Sequence, residues 1–409
     1  MRILYITTRM PFRHGGEGFF TPEIDALLDS GCMLRLLPRS RGTGEVEPGN
    51  ERFQPITEPK PLLSPAIALS AVAEFARSPA ATMRLLWTIL THDRLGVRAK
   101  NLAVLPKALF AGRVARHWRA DHIHAQWAST TATMAWGAHV MSGVPWSFTA
   151  HRWDIVDRNL LPTKVTSASF VRLISQSGVD LLMQMEPQVD QSKVRVIHMG
   201  VDVPPMPPLD MPPATVTPAH PFTVLCPANL LPVKGHRYLL EAMALVASRG
   251  HRCKLLLAGA GPERDAITKQ VQRLGLEEHV QLMGQLPLEE VMDLYSRRAV
   301  DAVALASVDL GGGLHEGIPV SLMEAMAHAV PVIGTDTGGI AELVLPGTGL
   351  LVPPQDPAAL ADAITSLITD PALRRRLAKA GRHRVADSFN VTSVVTRILK
   401  ELRATTETR

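Results

Sequence analysis

The chain has 409 residues, more than one ordinary core accommodates and enough for two domains of about 200 residues each. Apolar residues make up 46% and charged residues 20%, which excludes a disordered chain; a net charge of +5 with a pI of about 9.3 is mildly basic, its position matters more than its total, and no nucleic-acid partner is expected. The 3 cysteines, Cys32, Cys226 and Cys253, are scattered beside apolar runs, which argues against a disulfide framework or a structural zinc site and for a reducing compartment.

Short runs of Val, Ile and Leu alternate with helix-compatible segments, the pattern of parallel α/β sheets. Ile3–Ile6 reads as a strand, followed by a loop with Gly15 and Gly16 and a helix from Phe19 to Leu28. Strand, glycine loop and helix open a nucleotide-binding half, in which glycine lets backbone approach a ligand. Met1–Thr7 is too short for a signal-peptide core and no stretch is long enough to be a transmembrane helix, so a cytoplasmic protein is expected. After a strand at Met33–Leu37, a polar loop from Ser40 to Pro61 is expected to be mobile.

The segment 62–120 mixes apolar stretches with Arg77, Arg84, Arg94, Arg98, Lys100, Lys107, Arg113, Arg116 and Arg119 against only Glu74 and Asp93. Such basic amphipathic helices fit an anionic membrane surface at the inner face of the membrane, or an ordinary helical cover on the first sheet. His122–Trp127 then reads as a strand running into a loop, Ser129–Met141 as a helix, and Trp146–Thr149 as a strand with His151-Arg152-Trp153-Asp154 beyond it. Residues at the carboxyl ends of strands in an open sheet face the ligand crevice, which nominates His151 and His124, although His124 fits a packed structural role equally well.

From Val203 to Pro221 the sequence is proline-rich and loses periodicity, as a linker does. A second sheet begins at Phe222–Ala228, with Leu230-Leu231-Pro232-Val233-Lys234-Gly235 as its first loop and Tyr238–Val246 as its first helix. The strand Lys254–Ala258 ends at Gly259-Ala260-Gly261, but Arg264 stands where a dinucleotide fingerprint has its third glycine, which disfavours a nicotinamide cofactor. Further strands are read at Val280–Met283, Val303–Leu305, Val332–Gly334 and Leu350–Val352, and helices from Pro357 to near Leu402.

The stretch His315–Ala327 reads as a loop entering a buried helix. Pro319 suits the first helical position, and Leu322, Met323 and Met326 supply an apolar face. The free N–H groups and positive dipole end of such a helix favour a phosphate. Glu316 lies before the start and Glu324 well inside, so the two carboxylates have different tasks. A sugar on one side of a diphosphate and a ribose on the other would fit them.

Three stretches carry a family resemblance: Glu316-Gly-Ile-Pro-Val-Ser-Leu-Met-Glu324-Ala-Met-Ala, Pro331-Val-Ile-Gly-Thr-Asp-Thr-Gly-Gly-Ile-Ala-Glu-Leu-Val344, and Thr149-Ala-His-Arg-Trp-Asp154. With two α/β halves, a proline-rich joint and the Lys234-Gly235 loop, the whole chain resembles a retaining family 4 glycosyltransferase of the GT-B fold. It is most similar to bacterial enzymes that build exopolysaccharide or other lipid-linked glycans. The resemblance implies an N-terminal Rossmann-like acceptor domain (1–200), a linker (201–221), a C-terminal Rossmann-like nucleotide-sugar domain (222–385) and a last helix (386–409) packing back on the first domain.

Carried over residue by residue, the resemblance implies that Glu324 holds the donor's ribose hydroxyls and Glu316 contacts the transferred sugar. Lys234 would neutralise the departing diphosphate, and the backbone of Gly317, Ile318, Pro319 and Val320 would bind it. His151 would sit beneath the anomeric centre, Gly15 and Gly16 would close over the phosphates, and Gly259 and Asn229 would line the nucleotide side. Such enzymes usually have an arginine at the position of Asn229, and Arg9 or Arg152 are candidate substitutes for its charge. The substrates implied are a UDP- or GDP-sugar, hexosyl or N-acetylhexosaminyl, and a glycan or lipid-linked acceptor. No further cofactor is implied, and no metal, since the sequence has no Asp-x-Asp. Two other readings stay open: a non-catalytic homologue that binds sugar nucleotides, suggested by Asn229, and a GT-B-fold epimerase or phosphorylase.

Overall fold

The alternation of apolar runs and amphipathic helices closes into two parallel sheets. The computed structural model describes residues 1–13, 17–205 and 220–407. They form two units, Met1–Gly200 with Val394–Arg409, and Val201–Ser393.

Unit 1 holds the strands β1 (Arg2–Thr7), β2 (Met33–Pro38), β3 (His122–Gln126), β4 (Trp146–Ala150), β5 (Phe170–Leu173) and β6 (Val194–Val196), in the order β2-β1-β3-β4-β5-β6. Unit 2 holds β7 (Phe222–Pro227), β8 (Cys253–Ala258), β9 (Val280–Gly284), β10 (Ala302–Leu305), β11 (Val332–Thr335) and β12 (Leu350–Val352), in the order β12-β11-β10-β7-β8-β9. All pairings are parallel, so both faces of each sheet need helical cover and the strands read as continuous apolar runs. This is the Rossmann-like α/β pattern expected for each half.

The strand order decides where a ligand goes. In unit 1 the chain leaves β1 for β2 on one side and returns to β3 on the other; in unit 2 it leaves β7 for β8 and returns to β10. At such a switch point neighbouring loops diverge and open a crevice beyond the carboxyl ends of the strands. The loops that matter are therefore those after β1 and β3, and those after β7 and β10.

Two expectations change. The polar loop at 40–61 is tied down: Phe53 is fully buried in a short 3-10 helix, Glu51–Ile56, and the buried Lys107 ammonium donates to the carbonyls of Pro38 (2.5 Å), Arg39 (3.2 Å) and Lys60 (2.7 Å). The chain ends in the helices Pro371–Ser388 and Val391–Glu407, the second being the separate last helix expected. Unit 2 extends to Ser393, beyond the expected boundary at 385, because Asn390 pairs with Val201 and the N–H of Val391 donates to the Val201 carbonyl (3.0 Å). The last helix is fastened to unit 1 by Arg195–Glu401 (2.9 Å) and by Thr405 against His122 (3.0 Å). The linker expected at 201–221 falls largely outside the described residues.

Candidate active site

In unit 2, Gly235 shapes the loop after β7. Its φ is +64°, and an added Cβ would lie 1.9 Å from the Ala306 carbonyl oxygen, so only glycine lets the loop reach the end of β10. The N–H of Val308 donates to the Val233 carbonyl (2.9 Å), completing the joint between the two loops. Lys234, one residue before, is thereby delivered to Glu316, and the two side chains form a half-buried ion pair.

Glu316 is set by a second glycine device. Gly338, at φ +57°, would place a Cβ 1.8 Å from the Glu316 carbonyl oxygen, and the Gly339 N–H donates to that oxygen (3.3 Å). The Thr335–Ile340 turn after β11 thus presses on the backbone that carries Glu316. The motif around Gly338 was visible in the sequence, but its task was not.

The following helix is Val320–Ala327, and Pro319 is its N-cap, not its first helical residue. The Pro319 carbonyl accepts from the N–H groups of Leu322 (3.2 Å) and Met323 (3.3 Å). Those of Val320 and Ser321 belong to the first turn and have no intrahelical acceptor. Leu322, Met323 and Met326 are buried, as the apolar pattern requires.

Glu324 lies within the helix, near enough to Tyr295 for its charge to act on that residue's hydroxyl. Burial pushes its carboxyl up to about 8, so at neutral pH it is largely protonated. Unit 2 also carries buried polar atoms without a hydrogen-bond partner among the described residues: Ser307 Oγ and Thr337 Oγ1 after strands β10 and β11, and Tyr295 Oη and both ring nitrogens of His236 on helices. Asn229 is exposed after β7. Gly259 is packed so that a Cβ would meet the Ala228 carbonyl oxygen at 2.0 Å, so close backbone packing alone requires glycine there.

In unit 1, His151 ends β4 and caps the helix Arg152–Asp157, its N–H donating to Asp154 Oδ2 (3.1 Å). Its ring lies against Trp127 (centroids 4.3 Å apart) and edge-on to Phe19 (5.6 Å), while Nε2 is 3.0 Å from the Gln126 amide. Burial, then the charge of Arg172, lowers His151 to about 3, which keeps the ring neutral.

Trp127 has a φ of +76°, uncommon for a bulky residue, and its indole N–H donates to Glu17 (2.8 Å). Glu17 also accepts from the N–H groups of Thr8 (2.8 Å), Arg9 (2.7 Å) and Met10 (2.8 Å), fastening the loop after β1 to the loop after β3. Phe19, Glu17, Gln126 and Trp127 were not singled out from the sequence. The signal was present in Gln126-Trp127 at a strand end, but a histidine two residues earlier drew the attention. That residue, His124, is buried between Ser147 Oγ (2.8 Å) and Thr149 Oγ1 (3.0 Å), a structural position.

Gly15 and Gly16 lie outside the described residues. Arg152 is buried over the Trp153 ring (4.2 Å), and Arg9 shares the loop fastened by Glu17. The three cysteines are free and buried. Among the described residues, no group of three or more His, Cys, Asp or Glu could hold a metal ion, and no helix is long and apolar enough to cross a membrane.

Residues 211–384 match the family Glycosyl transferases group 1. This stretch is a group 1 glycosyltransferase domain. Along 95% of its length it is 28% identical to WcaL of Escherichia coli, named for colanic acid biosynthesis, covering 96% of that protein. Over 168 residues, 41% of the chain, this glycosyltransferase is 32% identical to a GDP-mannose-dependent phosphatidylinositol monomannoside mannosyltransferase of Mycolicibacterium smegmatis, 44% of which is covered. Its fold matches that of Anabaena HepE, crystallised with UDP (TM-score 0.70, 19% identity, 99% of this chain and 100% of that one). It also matches sucrose-phosphate synthase of Thermosynechococcus elongatus (TM-score 0.70, 22% identity, 100% of both chains). The fold is GT-B, with two Rossmann-like units.

Proposed function

We propose that this glycosyltransferase moves a sugar from a nucleotide-diphosphate donor to an acceptor hydroxyl with retention at the anomeric carbon, in the building of a bacterial glycan. The observation that carries the reading is the Lys234–Glu316 ion pair, held by two glycine devices at the switch point of unit 2 and at the mouth of the helix Val320–Ala327. A donor would exchange that pair for its own groups: Lys234 Nζ and the first-turn N–H groups for the diphosphate, Glu316 for the sugar hydroxyls, Glu324 for the ribose. The bond from the anomeric carbon to the phosphate oxygen breaks as that from the acceptor oxygen forms on the same face. The acceptor's proton passes to the leaving diphosphate, and Lys234 stabilises the charge that develops there.

Relatives named for GDP-mannose-dependent transfer and a structural neighbour holding UDP support a nucleotide-sugar donor. The test is kinetic. Lys234→Ala and Glu316→Ala should each lower kcat by about 100-fold or more in folded protein. Unchanged turnover in both would refute the reading.

A lipid-linked acceptor, met at an anionic membrane, fits a second feature. The helices Pro65–Arg77 and Pro79–Leu90 expose Leu69, Val72, Phe75, Met83, Trp87 and Leu90, together with Arg77 and Arg84. Glu74, the acidic residue of these helices, points inward to Arg116 (2.6 Å), which leaves the outer face cationic. An apolar patch rimmed by cations is suited to the headgroup region, each cation contributing about 1 kcal/mol on an anionic surface. Co-sedimentation should show binding to phosphatidylglycerol vesicles that weakens with salt and is lost in Arg77→Glu/Arg84→Glu. Equal binding to neutral vesicles, or none to either, would remove the membrane from the account.

A further inference from the structure

His151 sits at the end of a chain of buried hydrogen bonds that crosses unit 1. Arg172 on β5 is fully buried, and its guanidinium donates to the carbonyls of Ile197 (2.8 Å) and His198 (2.6 Å) and to the carboxylate of Glu23 (2.6 Å). The other oxygen of Glu23 is 3.1 Å from the Tyr5 hydroxyl. That hydroxyl is 3.2 Å from the end of the Gln126 amide placed as Oε1, and the end placed as Nε2 is 3.0 Å from His151 Nε2. The five side chains come from separate elements, and all are buried.

Counting protons gives this chain a direction. A carboxylate paired with a guanidinium only accepts, and a tyrosine hydroxyl has one proton. Burial, followed by the charge of Glu23, raises Tyr5 well above its ordinary value, so the hydroxyl keeps that proton and gives it to Glu23. Towards Gln126 the Tyr5 oxygen can therefore only accept. The two ends of an amide are nearly isosteric, so their order follows from their partners. With the amide oxygen towards Tyr5, two acceptors would compete for one proton. With the amide nitrogen there, every contact has one donor and one acceptor, and the amide oxygen faces His151 Nε2.

We propose that Arg172, Glu23, Tyr5 and Gln126 form a polarised relay that holds His151 in its Nε2–H tautomer, with the Nδ1 lone pair as the ring's remaining acceptor. The relay members are positioning residues. They set which side of the histidine accepts and which donates, and so which hydroxyl orientation it can receive. Their functional weight rests on the assignment of His151 to the donor site; the tautomer itself does not.

The experiment is long-range proton–nitrogen NMR of the full chain labelled with [15N]histidine, with His151 assigned by its loss in His151→Asn. The wild-type ring should show the Nε2–H pattern from pH 5 to 9. Gln126→Leu and Tyr5→Phe should each admit the Nδ1–H form and lower kcat about tenfold or more with little change in donor KM. Gln126→Glu retains an acceptor towards Nε2, so it should restore the tautomer and move protonation of His151 to higher pH. An Nδ1–H pattern in the wild type, or an unchanged pattern in Gln126→Leu, would overturn the relay. Full transfer by His151→Asn would instead overturn the role given to His151, while the spectra still decide the relay.

Discussion

The two units have the same sheet plan and open differently at their switch points. In unit 1 the loop ends are tied together by hydrogen bonds: His151 is buried, packed on Trp127 and bonded to Gln126, and Glu17 accepts from four N–H groups. Unit 2 presents a half-buried ion pair, a free helix start and buried polar atoms with no hydrogen-bond partner among the described residues. Saturated hydrogen bonds fix geometry, whereas unmatched donors and acceptors hold affinity in reserve for a polar ligand. The contrast is one of chemistry: unit 2 leaves polar groups for a charged ligand, and unit 1 holds its loop ends rigidly.

The largest effect should come from Gly338→Ala. The added Cβ collides with the Glu316 carbonyl and a left-handed φ becomes strained, so the Glu316 backbone must move. Transfer should fall about 100-fold, as misplacement of a site by an ångström can cost, while unit 1 stays folded. Wild-type rates in this variant would show that Glu316 needs no such positioning.

Acid should separate the units next. His122 and His151 are lowered to about 3 and His124 well below its ordinary value, all by burial first, so these rings are neutral when folded and protonate when unfolded. Their contribution is present above about pH 6.5, the unfolded value, and is lost as pH falls towards 3. Unit 2 has one such ring, His236, lowered to about 4 by burial and then by the charge of Lys234. All 6 tryptophans lie in unit 1, so their emission should report unfolding at a higher pH than the loss of helical circular dichroism from the whole chain. Coincident transitions would erase the contrast.

The smallest effect concerns Glu324. Its folded value of about 8 is raised above that of an unfolded carboxyl, so its contribution is present below about pH 4.5 and is lost as pH rises through 8. If ribose hydroxyls require the carboxylate, binding releases a proton and UDP or GDP affinity should rise with pH by up to about tenfold per unit below 8. In Glu324→Gln that slope should disappear. Calorimetry in buffers of different ionisation heat would measure it, and a pH-independent affinity in the wild type would dissociate Glu324 from the nucleotide.

Much was legible from local pattern. Strand limits are close because buried parallel strands are uninterrupted apolar runs, and the helix bearing Glu324 announces itself through Leu322, Met323 and Met326. Lys234 and Glu316 were readable as candidates because each sits in a loop after a strand. The loop at 40–61 was misread because Phe53 and Lys107, which hold it, are far apart in sequence and each looks ordinary alone. Pro319 was misplaced by one position because proline is compatible with both the cap and the first turn.

What the sequence by itself determined is the set of elements and the chemical types at their ends, since hydrophobic period, glycine and proline act within a few residues. What only the tertiary structure decided is which strands became neighbours, and therefore that Lys234 meets Glu316 across 82 positions and that Arg172 reaches Glu23 across 149. Pairings of that span have no local signature. They follow from the order β7–β10 and β1–β3 in the sheets, where burial of whole strand faces, not any single motif, selects the partner.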